Sequence, residues 1–339
     1  MKIISPNVEL LTQEGREEGM LRHIERCART CYKSEDKITD DSAERFVNDL
    51  IKRGHTSMLE HGTVYLTLSI NRDNRNNKLH YPWLYENAEI TWDDVFTYVQ
   101  FKFVNNPYSV VKLQPNKDYT ETTMYITTNL RVIHENDLYG IMHEFITEPT
   151  IYHEKRITLK FTTNIGVTRE GNRMRANSIA EESTRYCNYT KEKFGGEINI
   201  CPPVWITDQL GPLTTLDESE WMRHIEYVIR DNKNPDYSNE DAIEWYGMAC
   251  AFAQVAYRNL IRLGWTPQQA REVLPLATKS EVVYTATVTQ WRHFFDLRLF
   301  GTTGKPHPNM LLVAEKAQKI LIENNLWNLI YNPDEKDNN

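Results

Sequence analysis

Arg169-Glu170-Gly171-Asn172-Arg173-Met174-Arg175, followed two residues later by Ser178-Ile179-Ala180-Glu181-Glu182-Ser183-Thr184-Arg185-Tyr186, places four arginines within seventeen residues. Arginine presents a planar fork that grips phosphate bidentately and stays charged at every relevant pH. If Glu181 to Arg185 runs extended, Glu181, Ser183 and Arg185 project from one face and offer a carboxylate, a hydroxyl and a guanidinium together. Such a face suits a nucleobase edge or a phosphate. A solvated helix carrying charge pairs explains the same composition, and spacing alone does not decide between the two.

Outward from this stretch, the pattern predicts a strand over Arg156 to Thr163 just before it and a helical chain beyond Pro202-Pro203. Apolar residues recur at helical spacing from Glu14 to Arg29 and from Ser42 to Lys52, with Gly54 as a stop. His61 to Ile70 alternates and is β-branched, which predicts a strand. Residues 79–153 are rich in aromatic side chains, contain no chemical motif, and suggest a helix from Leu130 to Phe145. Towards the C-terminus, Ser238 to Asp241 reads as a capping box before a helix over Ala242 to Leu263, and Thr266-Pro267 as the start of another. Thr285 to Leu299 and Asn309 to Asn325 read as further helices, and residues 332–339 as a frayed tail.

The 339 residues fit one large domain or two moderate ones, and 40% hydrophobic with 25% charged residues describes an ordinary globular chain. A net charge of −8 argues against a nucleic-acid partner. Five cysteines without C-x-x-C spacing fit reduced thiols, and no H-E-x-x-H, Walker or G-x-G-x-x-G motif is present, so no metal site is expected. No apolar run is long enough to span a membrane and the N-terminus does not read as a signal peptide, so a cytoplasmic protein without a membrane partner is expected.

Two further clusters have chemical potential. His55-Thr56-Ser57-Met58-Leu59-Glu60-His61 sets two histidines and a carboxylate ahead of a strand, although such a pair at a helix end is commonly structural. Arg271 to Pro275, with Trp291-Arg292-His293-Phe294-Phe295-Asp296-Leu297-Arg298, reads either as a site or as an amphipathic core helix with exposed charges. On the helical reading Asp296 is placed to orient His293 or Arg298.

Taken together, the clusters resemble the flavin-dependent thymidylate synthases. The family's R-H-R, seven residues and Ser stands here as Arg173-Met174-Arg175, Ala176 to Glu182, and Ser183, continuing into Ser183-Thr184-Arg185-Tyr186. Its G-H-x-S/T-x-x-E-H is Gly54 to His61, and Ala28 to Tyr32, Ala270 to Pro275 and Phe295 to Arg298 resemble other family motifs. The likeness covers roughly residues 1–70 and 156–325, which implies a single domain over 1–339 with an insertion at about 71–155. Met174 replaces the family's histidine and Ala180 an asparagine, both of which lie against the flavin in the family. Thr287, Thr289 and His293 stand where compact members often carry Asn, Arg, and Asn or His.

The resemblance implies an α+β fold, a twisted mixed or antiparallel sheet flanked by helices, in a homotetramer whose sites draw on more than one subunit. It implies methylation of dUMP to dTMP, with methylenetetrahydrofolate as carbon donor and FAD, reduced by NADPH, as hydride source. Ser57, Glu60, Arg173, Met174, Arg175, Glu181, Thr287, Thr289 and His293 would meet the flavin. Glu170, Arg173, Glu181, Glu182, Ser183, Thr184, Arg185, Arg271 and Arg298 would meet dUMP. His55 would sit near folate and flavin, and Arg298 would stabilise the N3-deprotonated pyrimidine. The alternatives are a dUMP-binding protein of the same fold with impaired flavin chemistry, and a cysteine-dependent methylase using Cys201.

Overall fold

A computed structural model of the chain describes residues 1–71, 73–79, 90–174, 177–206, 219–220, 222–223, 225–226 and 239–331. The elements that frame the cavities are strand β1 (Asn7–Leu11), helix α1 (Glu17–Thr30), helix α2 (Ser42–Lys52), a 3₁₀ turn (Thr56–His61) and strand β2 (Thr63–Asn71). Helix α3 (Trp92–Val104), strands β3 (Val110–Pro115) and β4 (Glu121–Asn129), and helices α4 (Leu130–Glu135) and α5 (Tyr139–Phe145) come next. Strand β5 (Arg156–Asn164), helix α6 (Ile165–Gly171), strand β6 (Ser178–Glu181) and helices α7 (Asn239–Arg262) and α8 (Pro267–Ala270) lead to strand β7 (Lys279–Thr287). Helices α9 (Val288–Arg298), α10 (Pro308–Glu323) and α11 (Trp327–Ile330) close the described chain.

Two antiparallel sheets organise these elements. One is four-stranded in the order β1-β5-β7-β6, with Tyr284 opposite Leu159 on one side and Ile179 on the other. The other is three-stranded in the order β2-β4-β3. The architecture is therefore α+β, with antiparallel sheets and flanking helices, as expected.

Alternation along the strands decides what each sheet face covers. Leu159, Phe161, Val282, Tyr284 and Ala286 pack on one face against Trp291, Phe294, Phe295 and Val313 of α9 and α10. On the opposite face, Val283 and Ala180 meet Leu11 and Cys27. Helix α1 turns Met20, Ile24 and Ala28 into the core of the three-stranded sheet, with Leu66, Val99, Phe103 and Ile126. One helix thus belongs to two cores, which explains why His23, Glu25 and Arg29 are buried along with its apolar residues.

The helices expected over 14–29, 42–52, 242–263 and 309–325 and the strands over 61–70 and 156–163 are present, and Gly54 adopts the left-handed φ of +69° that suits a helix stop. The helix expected over Leu130 to Phe145 is broken, because Asp137 takes a left-handed φ of +52° and separates α4 from α5. Thr285 to Thr287, expected to be helical, end strand β7, and helix α9 starts only at Val288, where Thr287 and Gln290 form a capping box. The expected capping residue Ser238, Arg175 and the tail 332–339 lie outside the described residues. Among the described residues no helix is long and apolar enough to cross a membrane.

Candidate active site

The Arg-rich segment is shaped by its ends. Asn164 caps α6 by accepting from Val167 N at 3.0 Å, and its amide donates to the Cys201 carbonyl. Gly171 closes the helix against the Tyr284 hydroxyl, which a Cβ would approach to 2.4 Å. After β6 the amide of Ser183 donates to the Cys31 carbonyl at 2.9 Å, and the chain turns through Ser183 to Cys187. The extended run expected over Glu181 to Arg185 therefore ends at Ser183, because the end of α1 captures its backbone. The turn nevertheless sends Glu181, Glu182, Ser183, Thr184 and Arg185 into one cavity.

This cavity, about 660 Å³, also receives Arg169 from α6 and Arg271 from the turn after α8. Helix α8 starts at the expected Thr266-Pro267 and holds Arg271 in place, and its Gln268 accepts from Arg185 Nε at 3.0 Å. Glu181 is fixed from two sides: Ser280 Oγ donates to one oxygen at 3.2 Å and Asn172 Nδ2 to the other at 3.3 Å. Tyr284 in turn donates to Asn172 Oδ1 at 2.8 Å, which sets the orientation of that amide.

Beneath the cavity lies a buried charge cluster. Lys279 bridges Glu182 and Glu281 at 2.7 Å each, and Lys33 and Lys160 reach Glu281 at 2.6 Å. Burial alone would push the Glu281 carboxyl up, but Lys279, Lys33 and Lys160 together hold it well below the usual carboxylate range. These pairs let β7, with the sequence Lys-Ser-Glu-Val-Val-Tyr-Thr-Ala-Thr, lie buried in the sheet although it carries two charges.

Glu170 and Arg298, expected beside the same nucleotide, are not in this cavity. They pair with each other, Arg298 Nη1 to Glu170 Oε2 at 3.2 Å and Nη2 to the Glu170 carbonyl at 2.9 Å. Arg173 is exposed just past α6, while the Met174 side chain is buried in the α9/α10 core and Ala180 against Val283. Both replacements therefore occupy apolar packing positions, which accounts for the residue types. Asp296 orients neither His293 nor Arg298, since its carboxylate accepts from Tyr331 Oη at 2.6 Å, and His293 is exposed.

The histidine-rich turn is divided in the same way. His55 and Ser57 are exposed, Glu60 pairs with Arg131 of α4 at 2.5 Å, and His61 is fully buried with Nδ1 2.8 Å from Thr285 Oγ1. Thr285 also meets Thr158 at 2.8 Å, and Thr158 meets His23 at 3.0 Å, so a polar chain links two histidines across the sheet. Burial, aided by neighbouring charges, brings His23 down to about 4 and lowers His61 well below its ordinary value.

Arg156 joins this turn to Thr287. It lies opposite Thr287 in the β5–β7 register, and its guanidinium donates to the Glu60 carbonyl, Ser178 Oγ and Thr63 Oγ1. Arg156, Thr287 and Thr289 line a second cavity of about 410 Å³, together with Tyr108, Lys112 and Asn129 from the region without motifs. Lys112, Asn129 and Arg156 had no sequence signal. Their proximity arises from strand pairing across long separations. Cys201 is buried in the first sheet's surroundings, and burial pushes its thiol up to about 12, which leaves no thiolate near neutral pH. Among the described residues no group of three or more His, Cys, Asp or Glu could hold a metal ion.

The α+β scaffold thus carries one cavity lined by Arg169, Arg185 and Arg271, residue types that suit an anionic ligand, and another lined by Lys112, Arg156 and Thr287. The family model described as thymidylate synthase complementing protein matches residues 12–73 and 143–323, and the chain belongs to that family. No curated protein sequence matches the chain. Among solved structures it is similar to the UMP/dUMP methylase PolB from Streptomyces cacaoi bound with 5-Br dUMP, at 16% identity and a TM-score of 0.38, covering 95% of this chain and 93% of that one. The same methylase bound with 5-Br UMP gives 15% identity and a TM-score of 0.39, covering 95% and 92%.

Proposed function

We propose that the chain methylates dUMP to dTMP, taking the carbon from methylenetetrahydrofolate and using FAD reduced by NADPH. The observation that carries this reading is the cavity that gathers Glu181 to Arg185 with Arg169 and Arg271. Arg185 and Arg271 bind the nucleotide phosphate, and Glu181, held by Ser280 and Asn172, accepts from a donor on the pyrimidine or the sugar. Glu182 and Thr184 line the same wall, with Glu182 neutralised by Lys279.

Glu170, Arg173 and Arg298 do not line this cavity, and the homotetramer implied by the family resemblance gives them a task. They complete the site of a neighbouring subunit, where the Arg298 charge favours the N3-deprotonated pyrimidine and so raises electron density at C5. His55 and Ser57, exposed on the 3₁₀ turn, reach the folate and flavin side. We read the chain as a single domain with an insertion at about 71–155, of which residues 74–142 lie outside the family match.

The second cavity is assigned to part of the flavin nucleotide, since FAD as a whole is larger than this space. Its volume of about 410 Å³ lies in the range of small-molecule sites, and Asn129, Arg156 and Thr287 line it with polar groups. Thr287 and Thr289 hold the cofactor there, with Glu60 linked to the cavity through Arg156, which donates to its carbonyl, and His293 on the same helix as Thr289. When bound there, the flavin would supply the hydride that completes the methyl group on a pyrimidine held by a neighbouring subunit, because the two cavities of one chain are separated by most of strand β7 and a hydride passes only between atoms in contact. With their side chains packed in cores, Met174 and Ala180 contribute backbone or packing only.

The test is an anaerobic assay of purified protein with dUMP, methylenetetrahydrofolate, FAD and NADPH, with dTMP detected by mass. Product is expected. Absence of product despite bound flavin and dUMP would replace the reading with a nucleotide-binding protein of impaired flavin chemistry. Arg298→Ala is expected to keep its fold and flavin but to lose methyl transfer, and normal turnover in that variant would remove the role assigned to Arg298.

A further inference from the structure

The second cavity takes part of its wall from a segment that the family model leaves unmatched, since Tyr108, Lys112 and Asn129 lie between the two matched ranges. We propose that Lys112, on strand β3, is the cation that holds a phosphate of the flavin nucleotide in this cavity. The inference rests on the flavin reading of the preceding section and assigns a task to the intervening segment.

The argument starts with Glu154. This buried carboxylate accepts from Thr289 N at 3.1 Å and Thr289 Oγ1 at 2.7 Å through one oxygen, and from Lys112 Nζ at 2.9 Å through the other. Burial pushes its carboxyl up, but the bonds from Thr289 and Lys112 more than offset this and hold it ionised. Glu154 thus ties β3 to the first turn of α9 and fixes the ammonium at the cavity wall. A lysine has three donors, and this contact uses one. The side chain is 47% exposed, so the remaining donors are open to a ligand.

Charge and donor supply select the ligand class. The lining holds two cations, Lys112 and Arg156, against the single carboxylate of Glu154. Both oxygens of that carboxylate are already engaged, which argues against a cation as the ligand. Arg156 is committed to Glu60, Ser178 and Thr63, so it contributes field rather than a mobile contact. Tyr108, 46% exposed, lines the same cavity and adds an aromatic ring to its wall. A phosphate attached to an aromatic ring system satisfies all of these features.

The experiment titrates FAD into the apoprotein by fluorescence quenching, for the wild type and for Lys112→Met and Lys112→Arg, with dUMP binding followed by calorimetry. Lys112→Met is expected to weaken FAD about 10- to 100-fold, Lys112→Arg to remain within about 3-fold of wild type, and dUMP affinity to be unchanged in both. Wild-type FAD affinity in Lys112→Met, or an equal loss of dUMP affinity, would overturn the inference and leave the flavin reading standing. A wild-type protein that binds dUMP but no FAD would remove both.

Discussion

The two cavities are built differently. The 660 Å³ cavity takes its walls from residues 165–185 and 271–280, and the 410 Å³ cavity from 107–112, 129, 154–156 and 287–290. Strand β7 serves both, with Ser280 in one and Thr287 in the other, about 23 Å apart along the strand. The first rests on buried ion pairs, with Glu182 and Lys279 only 2% and 10% exposed, whereas the second is tied by a pair whose lysine is half in water. A buried pair fixes geometry and punishes the loss of one partner, while an exposed pair leaves a charge free to serve a ligand.

The largest test of that contrast is Glu281→Gln. It leaves Lys279, Lys33 and Lys160 facing an uncharged amide, and a loss of about 3–5 kcal/mol is expected in urea unfolding. A loss below about 1 kcal/mol would show that water reaches the cluster and that the contrast is false.

Acid should act on the polar chain that joins His23, Thr158, Thr285 and His61. His23 stays neutral in the fold down to about 4, whereas the unfolded chain protonates it near 6.5. The unfolded state then binds more protons as pH falls through that window, so stability present above about 6.5 is lost towards 4, on the order of 3 kcal/mol for His23. His61 acts in the same direction. Unfolding free energies measured from pH 7 to 4.5 should decline, and a flat profile would mean that the histidines are solvated.

Within the first cavity, Arg271→Ala and Arg185→Ala are each expected to weaken dUMP by about 10- to 100-fold in calorimetry, with FAD affinity retained. Equal loss of both ligands would indicate that the two cavities are one continuous site. The smallest effect should come from the second cavity: Lys112→Met leaves the buried Glu154 with its two Thr289 donors, so a loss of about 1–2 kcal/mol, below that of Glu281→Gln, is expected. A larger loss would make Lys112 structural.

Part of the first cavity was legible because it is local in the chain. Glu181 to Arg185 are consecutive and their residue types mark a ligand-binding face, but spacing leaves a solvated helix equally open, and the family resemblance is what joins Arg271 to them, while Arg169 enters only with the fold. The second was opaque. Lys112 pairs with Glu154 across 42 residues, and Arg156 meets Glu60 across 96, through contacts that no periodicity encodes. Strand β7 has no counterpart in the sequence reading: Thr285 to Thr287 read as helix, and Lys279 and Glu281 look solvent-facing and become core residues only through Glu182, Lys33 and Lys160.

The sequence by itself determined the helices α1, α2, α7 and α10, the strands β2 and β5, and the Arg-rich segment, since these follow from local periodicity, capping and residue chemistry. Tertiary structure alone decided that Arg298 turns to Glu170, that Met174 is a core residue, and that a region without motifs walls a cavity. The physical reason is that these outcomes depend on which distant side chain neutralises a charge or fills a volume, and that choice is made only when the sheets pair.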